Sequence, residues 1–379
     1  MANKELKVGN VPNLRFPGFE EEWEVKKLSD DSQFYSGGTP LTSKKEYFNG
    51  EIPFIRSGEI NANKTEQHIT QKGLNNSSAK MVYVGDLLYA LYGATSGEVG
   101  ISKINGAINQ AVLCIKSRND HYFLANYLRL QKENIIKTYL QGGQGNLSAD
   151  IVKKLKISIP SLKEQQKITS FIILIDQRIE TQNKIIEQLE TLIQNCCNQI
   201  FKQKIRFKGK DGIDFSEWTE VKIGDILKIG NGKDYKHLKS GKVPVFGTGG
   251  FMTLVDNFLY DGETVCIGRK GTIDKPMYHE GKIWTVDTLF YTHSFQSCIP
   301  KFIFYLFQTI NWLEYNEASG VPSLSKSTIE KIKIEIPSIN EQKQIASFLS
   351  KIEQKIETEK QFLEQLEKQK KYLLHQMFV

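Results

Sequence analysis

Two stretches of the chain place an apolar residue every three or four positions. In the first, Ile168, Ile172, Ile175, Ile179, Ile186, Leu189, Ile193, Cys196 and Ile200 fall on one stripe; in the second, Ile345, Leu349, Ile352, Ile356, Leu363, Leu366, Leu373 and Met377 do the same. Alternating steps of four and three keep side chains on one seam of a helix, so two long coiled-coil helices are predicted. Ser161 and Ser338 stand before them with Glu164 and Glu341 three residues on. That S-x-x-E box satisfies the free amides of a first helical turn. Just upstream, KISIP (156–160) and KIEIP (333–337) alternate polar and apolar, which predicts a short strand leading into each helix.

Polar residues interrupt the seam at Gln182 in the first helix and at Glu359 and Lys370 in the second. Gln182 and Glu359 hold equivalent positions near the helix centres, where a buried polar contact fixes register at some cost in stability. Antiparallel and parallel pairings would both bring them into one layer. Connectivity favours the antiparallel pair, since the intervening chain must leave the end of one helix and return to begin the other. At about 1.5 Å per residue the seam from Ile168 to Ile200 runs ~48 Å, or about 14 base pairs of duplex.

The helices belong to a longer repeat. From Leu147 and from Leu324, at a constant offset of 177, 55 positions align without gaps and 24 are identical. Fainter echoes lie upstream: RFPGFEEEWEVKKL from Arg15 resembles RFKGKDGIDFSEWTEVKI from Arg206, and YVGDLLYALYGATSG from Tyr83 resembles YDGETVCIGRKGTID from Tyr260. Between these anchors the halves diverge. A duplicated frame with dissimilar inserts is what holding two different readers in one geometry requires; drift after duplication would leave the same trace.

Composition adds exclusions. The 379 residues are 40% hydrophobic and 25% charged, enough for more than one core. No apolar run is long enough to span a membrane and the first twenty residues lack a signal-peptide core, so a cytoplasmic protein is expected. The five cysteines form no CxxC pair and the six histidines no ligand-spaced cluster, so free thiols and no metal site are expected. The net charge of +7 permits nucleic acid without demanding it.

Several fragments, in order, carry a family resemblance: SGGTP (36–40), GEIPFIRSGEIN (50–61), GDLLYALYGATSGEVGI (85–101), INQAVL (108–113), and the twin helix starts SLKEQQKI and SINEQKQI. The chain resembles the specificity subunit of type I restriction-modification systems. The resemblance implies an α+β fold of two mixed α/β target-recognition domains joined by two long antiparallel coiled-coil helices, with an internal pseudo-twofold repeat. Its boundaries would be an N-terminal segment 1–14, a first recognition domain 15–160, a central helix 161–205, a second domain 206–337 and a C-terminal helix 338–379. It also implies that each domain reads one half of an asymmetric bipartite site in double-stranded DNA. Two methyltransferase subunits would dock on the helices and two restriction subunits would complete the complex. S-adenosylmethionine, ATP and Mg²⁺ would sit on those partners, with no catalytic residue, metal or cofactor on this chain. KIGNGKDYKHLKSGKVPVFGTGG departs from the SGGTP and IPFIRSGEI elements of the first half, so the two half-sites are expected to differ.

Candidate DNA contacts follow from glycines and strand ends, where the backbone can approach a duplex. In the first half these are Arg56 and Ser57 after IPFI, the loop of Tyr92, Gly93, Thr95 and Ser96, then Lys103, Gln144 and Asn146. QGGQGN (141–146) combines amides suited to adenine edges with three glycines, and reads equally as a flexible surface loop. In the second half, Lys233, Tyr235, Lys236, His237 and Lys239 lie in the most basic stretch, which a solvated loop would also explain. Arg269, Lys270 and Thr272 stand in GRKGT, at the place of YGATSG in the repeat, where an arginine could grip guanine. Trp23 and Trp218 are assigned to the core.

Enzyme readings fail on context. FGTGG (246–250) lacks the strand, helix and distant acid of a dinucleotide site, and no P-loop occurs. The Asp/Asn-Pro-Pro-aromatic motif that adenine methyltransferases use on the flipped base is missing too. The EVK triplets at 24–26 and 220–222 are one part of a nuclease metal site, which must also bring another carboxylate close to bind Mg²⁺, so cleavage by this chain is not expected. A coiled-coil adaptor without nucleic acid would leave the divergent glycine-looped domains unexplained. An orphan specificity subunit would be told apart by its neighbouring genes.

Overall fold

The computed structural model describes residues 9–139, 146–209 and 211–379. The chain packs as two units, the first formed by residues 1–181 with 363–379 and the second by residues 182–362. The second unit is one uninterrupted stretch and the first is made of two, and each takes a piece of both long helices.

In the first unit, β1 (Glu24–Lys27) pairs antiparallel with β10 (Lys156–Ile159), the strand expected from KISIP. Between them come β2 (Ser32–Ser36), β3 (Phe48–Ile55), β4 (His68–Ile69), β5 (Lys80–Val82), β6 (Leu87–Ala90), β7 (Val99–Ile101), β8 (Gly106–Ile108) and β9 (Val112–Ser117). They form two four-stranded sheets, in the orders β2-β9-β6-β7 and β4-β3-β8-β5. Only β3 and β8 run parallel within them. A helix α1 (His121–Tyr139) covers the first sheet with Phe123, Leu124, Tyr127 and Leu128.

The second unit repeats this topology strand for strand. Here β11 (Thr219–Lys222) pairs with β20 (Lys333–Ile336). The inserted strands are β12 (Lys228–Asn231), β13 (Ser240–Gly247), β14 (Gly250–Val255), β15 (Tyr260–Asp261), β16 (Thr264–Gly268), β17 (Met277–His279), β18 (Lys282–Thr285) and β19 (Leu289–His293). Their sheet orders are β12-β19-β16-β17 and β14-β13-β18-β15, again with one parallel pair, β13 and β18. The apparent divergence of KIGNGKDYKHLKSGKVPVFGTGG is therefore one of side chains. Its IGN lies where QFYS forms β2, and VPVFG lies where IPFI forms β3.

The seam residues build α2 (Leu162–Phe201) and α4 (Ile339–Met377), with a short α3 (Pro300–Phe307) capping the second sheet system. Ile168 and Ile172, at the start of α2, share the first core with Met377 and Phe378 at the end of α4. In the second unit Cys197 and Ile200 share a core with Ile345 and Leu349. Start meets end in both units, so the pairing is antiparallel. Gln182 and Glu359 do meet: the Gln182 amide donates to the Glu359 carbonyl at 3.1 Å and to its carboxylate at 2.5 Å. Lys370, off the apolar pattern, pairs with Asp176 at 2.5 Å.

The capping-box reading needs correction at its acidic end. Ser161 and Ser338 do accept the amides of Glu164 and Glu341 at 3.4 Å. The two carboxylates instead receive arginines: Arg15 Nε and Nη2 reach Glu164 at 2.7 and 2.8 Å, and Arg206 Nε and Nη2 reach Glu341 at 3.3 and 3.0 Å. Both carboxylates are buried, so a full charge pair outcompetes a single amide bond there.

Two glycines show how tightly the loops are seated. A Cβ on Gly37 would stand 1.7 Å from the Ile108 carbonyl oxygen, and one on Gly232 would stand 1.9 Å from that of Val286. These glycines occupy the same point in the two units, just after β2 and β12. Gly232→Ala is expected to cost about 1–3 kcal/mol because backbone must shift. Gly249→Ala, with nothing within 4 Å, should stay within about 0.5 kcal/mol. Urea unfolding of the two variants checks this.

Candidate nucleic-acid interface

Strand direction gathers one set of loops at a single end of each unit. In the first, β2, β3, β6 and β8 all finish where β9 begins. Backbone bonds knit that end: Leu91 N–H to Ala111 O and Leu147 N–H to Leu91 O, both 2.8 Å, and Gly37 N–H to Asn109 O at 3.2 Å. Tyr92 and Leu41 stand exposed there, at 39% and 61%. Asn146 accepts the Gly93 amide at 3.3 Å, and Thr39 donates to Gln110 at 2.7 Å. Thr39, Tyr92, Gln110 and Asn146 thus form a neutral surface of hydroxyl and amide groups.

The same end of the second unit is charged. Arg269 N–H bonds Thr288 O at 2.8 Å and Leu324 N–H bonds Arg269 O at 2.9 Å, reproducing the Leu91 contacts. Arg269 therefore stands at the place of Leu91, and Lys270 at the place of Tyr92. Gly271 donates to Pro322 O at 2.8 Å, and a Cβ on it would lie 3.5 Å from Thr248 Oγ1. Three loops, 247–250, 269–272 and 318–323, converge on this glycine. The last two of these loops border a cleft of about 790 Å³ whose lining includes Asn231, Arg269, Lys270, Asp287, Glu317 and Lys326.

The sequence-predicted contacts divide on this map. Tyr92, Gly93, Thr95 and Asn146 come together with Ser57 at the loop end of the first unit, and Lys233, Arg269, Lys270 and Thr272 at that of the second. Ser96 does not take part: it is 5% exposed and its hydroxyl donates to Leu91 O at 3.0 Å. Lys103 follows β7, and antiparallel pairing with β6 puts it at the opposite end from Tyr92. Arg56 is at the right end, but Glu59 at 3.1 Å and Glu66 at 2.5 Å occupy its guanidinium and hold its pKa above the usual arginine range. Lys239 immediately precedes β13, roughly 26 Å of extended strand from Gly247, and its amide is tied to Asp256. Lys236 and His237 are exposed between these ends, His237 edge-on to Trp284, and Tyr235 packs into a small core beside Trp284. Gln144 lies outside the described residues.

Nothing in this arrangement resembles a reaction centre. Burial raises all five cysteine thiols, Cys114 and Cys298 to about 11 and Cys197 and Cys266 to about 12, so none supplies a thiolate at neutral pH. Among the described residues no three His, Cys, Asp or Glu side chains stand close enough to hold a metal, and no helix is long and apolar enough to cross a membrane.

Family comparison agrees with the duplicated loop-bearing units. The model of the type I restriction modification DNA specificity domain matches twice, at residues 20–191 and 215–368. The chain belongs to this family.

Among relatives of this DNA specificity family, the MjaVIII specificity subunit of Methanocaldococcus jannaschii is 24% identical over 98% of this chain and 95% of its own. The MjaIX specificity subunit of the same organism is 28% identical over 64% of this chain, a region spanning 59% of the relative. Both relatives are specificity subunits, and this chain is likewise a specificity subunit without catalytic function. The S subunit structure from M. genitalium superposes with a TM-score of 0.62 at 19% identity, covering 97% of this chain and 99% of that one. That likeness extends the shared fold to nearly the whole chain.

Reading from sequence missed several positions, Thr39 among them. Gln110 and Asp287 are equivalent, each two residues past the parallel strand β8 or β18, and INQAV and TVDTL fill the same structural slot. Thr248 sits at the hairpin tip that FGTGG forms. The signal available was alignment of INQAV with TVDTL, but only register shows it, because no residue in the two pentapeptides matches.

Proposed function

We propose that the chain directs a type I restriction-modification enzyme to an asymmetric bipartite site in double-stranded DNA. Each unit would read one half with its loop end, the first through hydroxyl and amide groups and the second through Arg269, Lys270 and their neighbours. The observation that carries this reading is one topology, built twice, presenting a neutral loop surface in one unit and a charged cleft in the other. Half-sites read by such unlike surfaces would differ. Two methyltransferase subunits would dock on α2 and α4, with two restriction subunits completing the assembly in the cytoplasm. S-adenosylmethionine, ATP and Mg²⁺ would be held by those partners. A solved chain covering 96% of this one, from work on complex assembly of the type I R-M system, has a TM-score of 0.61 and supports the same fold in that setting.

Co-expression with the cognate methyltransferase, followed by mapping of modified adenines, tests the reading. Methylation at a two-part asymmetric motif is expected, and a stable complex that methylates nothing would count against it. Deleting seven residues from each long helix should shorten the spacing between half-sites and leave both half-site sequences intact. Unchanged spacing would remove the helices as the ruler.

Salt dependence separates the basic residues. Lys233 follows β12 at the loop end of the second unit, its amide on Thr285 O, so Lys233→Ala is expected to lower the slope of log K against log salt by about 0.9, one phosphate contact. Lys239→Ala, at the far end of β13, should leave that slope unchanged.

A further inference from the structure

The cleft of the second unit holds an arginine and an aspartate that are positioned but not paired with each other. Arg269 Nη1 donates to the Asp287 carbonyl at 3.3 Å, and its guanidinium carbon lies 5.9 Å from the ring centre of buried Phe290. Its Nε and Nη2 meet no hydrogen-bond partner among the described residues. The Asp287 carboxylate likewise has no hydrogen bond or ion pair there. Glu317, which also lines the cleft, differs: its carboxylate already accepts from Ser325 and Thr328. Arg56 of the first unit differs as well, being closed off by two carboxylates.

Backbone bonds fix where both side chains start. Arg269 leaves β16 with its amide on Thr288 O at 2.8 Å, and the Val286 amide, one residue before Asp287, is on Phe246 O at 2.9 Å. Ring and carbonyl contacts then hold the arginine while leaving its donor fork available, so little side-chain entropy remains to be lost on binding.

An exposed carboxylate in a DNA-facing cleft is repelled by phosphates. On a duplex its lone pairs suit donors on a base edge rather than the backbone, and in the major groove the characteristic donor for a carboxylate is cytosine N4. Guanine presents O6 and N7, the two acceptors that match a guanidinium fork. An acceptor and a fork side by side complement both bases of one pair.

We infer that Arg269 and Asp287 together read a single C·G base pair, Arg269 on guanine O6 and N7 and Asp287 on cytosine N4. This rests on the DNA-reading role proposed above and names a target base pair for it. The first unit has Leu91 and Gln110 at these two positions, which cannot form the same pair of contacts, so the feature belongs to one half-site only.

The test uses the full chain with its cognate methyltransferase and compares methylation maps for the wild type, Arg269→Lys and Asp287→Asn. Lysine keeps the charge but loses the fork, and asparagine keeps the shape but loses the anionic acceptor. Both variants are expected to relax the same C·G position, by about ten- to a hundredfold in discrimination, with the other half-site unchanged. Relaxation at two different positions, at a position that is not C·G, or at none overturns the inference while the bipartite reading stands. A wild-type map without a two-part motif overturns both. Should a variant methylate nothing, binding to mixed-sequence duplex at low salt and assembly with the methyltransferase decide: both retained supports loss of recognition, and lost assembly counts against it.

Discussion

Phe378→Ala is expected to destabilise the first unit by about 3–5 kcal/mol, the cost of emptying a large aromatic site in a packed core. Phe378 is 5% exposed although it is the penultimate residue of the chain. Its ring stacks on Phe123 at 5.0 Å and meets Trp23 edge-on at 6.2 Å, and Leu14 N–H bonds Gln376 O at 2.9 Å beside it. The last turns of α4 therefore complete a core whose other members lie more than two hundred residues earlier in sequence. Hydrogen exchange read by mass spectrometry should show protection falling in β1, β10 and α1, with the second unit protected as before. Phe251→Ala, at a side chain 60% exposed, should leave both units unchanged and serves as the control. Equal loss of protection in both units would mean that they unfold together.

Arg15→Met is expected to cost about 3–5 kcal/mol by leaving a buried carboxylate without its countercharge. Glu164 is 1% exposed; without Arg15, the Trp23 indole at 3.4 Å is the remaining side-chain donor among the described residues. The companion Arg15→Met/Glu164→Met should recover most of that loss, because two apolar side chains together bury no unpaired charge. Denaturant melts of the wild type, both single variants and the double variant close the cycle. A double variant as unstable as Arg15→Met would show that the arginine acts by packing alone. Arg206 and Glu341 repeat the arrangement in the second unit, with Glu341 fully buried, and the same cycle should give the same sign there.

Much of the frame was legible because it rests on local rules repeated twice. The 4-3 spacing required two long helices, alternation in KISIP and KIEIP required strands, and chain connectivity favoured the antiparallel pairing that places Gln182 against Glu359. Trp23 and Trp218 read as core because each follows a charged turn and opens a strand, and both pack there. The residues of the candidate interface were less legible. A glycine beside a polar residue marks a loop, but the loop's end of the sheet depends on strand direction. Lys103 and Lys239 have sequence surroundings as plausible as those of Tyr92 and Lys233, yet pairing register carries them to the opposite end.

Sequence by itself determined the duplication, the helices, the flanking strands and the family, since each follows from spacing or from identities along a continuous stretch. Tertiary structure alone decided four things: that the inserts share one topology, that Gln110 and Asp287 are counterparts, that Arg56 is occupied while Arg269 is not, and that Glu164 takes an arginine. Three of the four depend on which distant segments hydrogen bonding and burial bring together, and no local pattern of residues encodes a partner so far along the chain; Arg56 meets Glu59 and Glu66 close by in sequence, and only the folded geometry shows that both carboxylates reach its guanidinium.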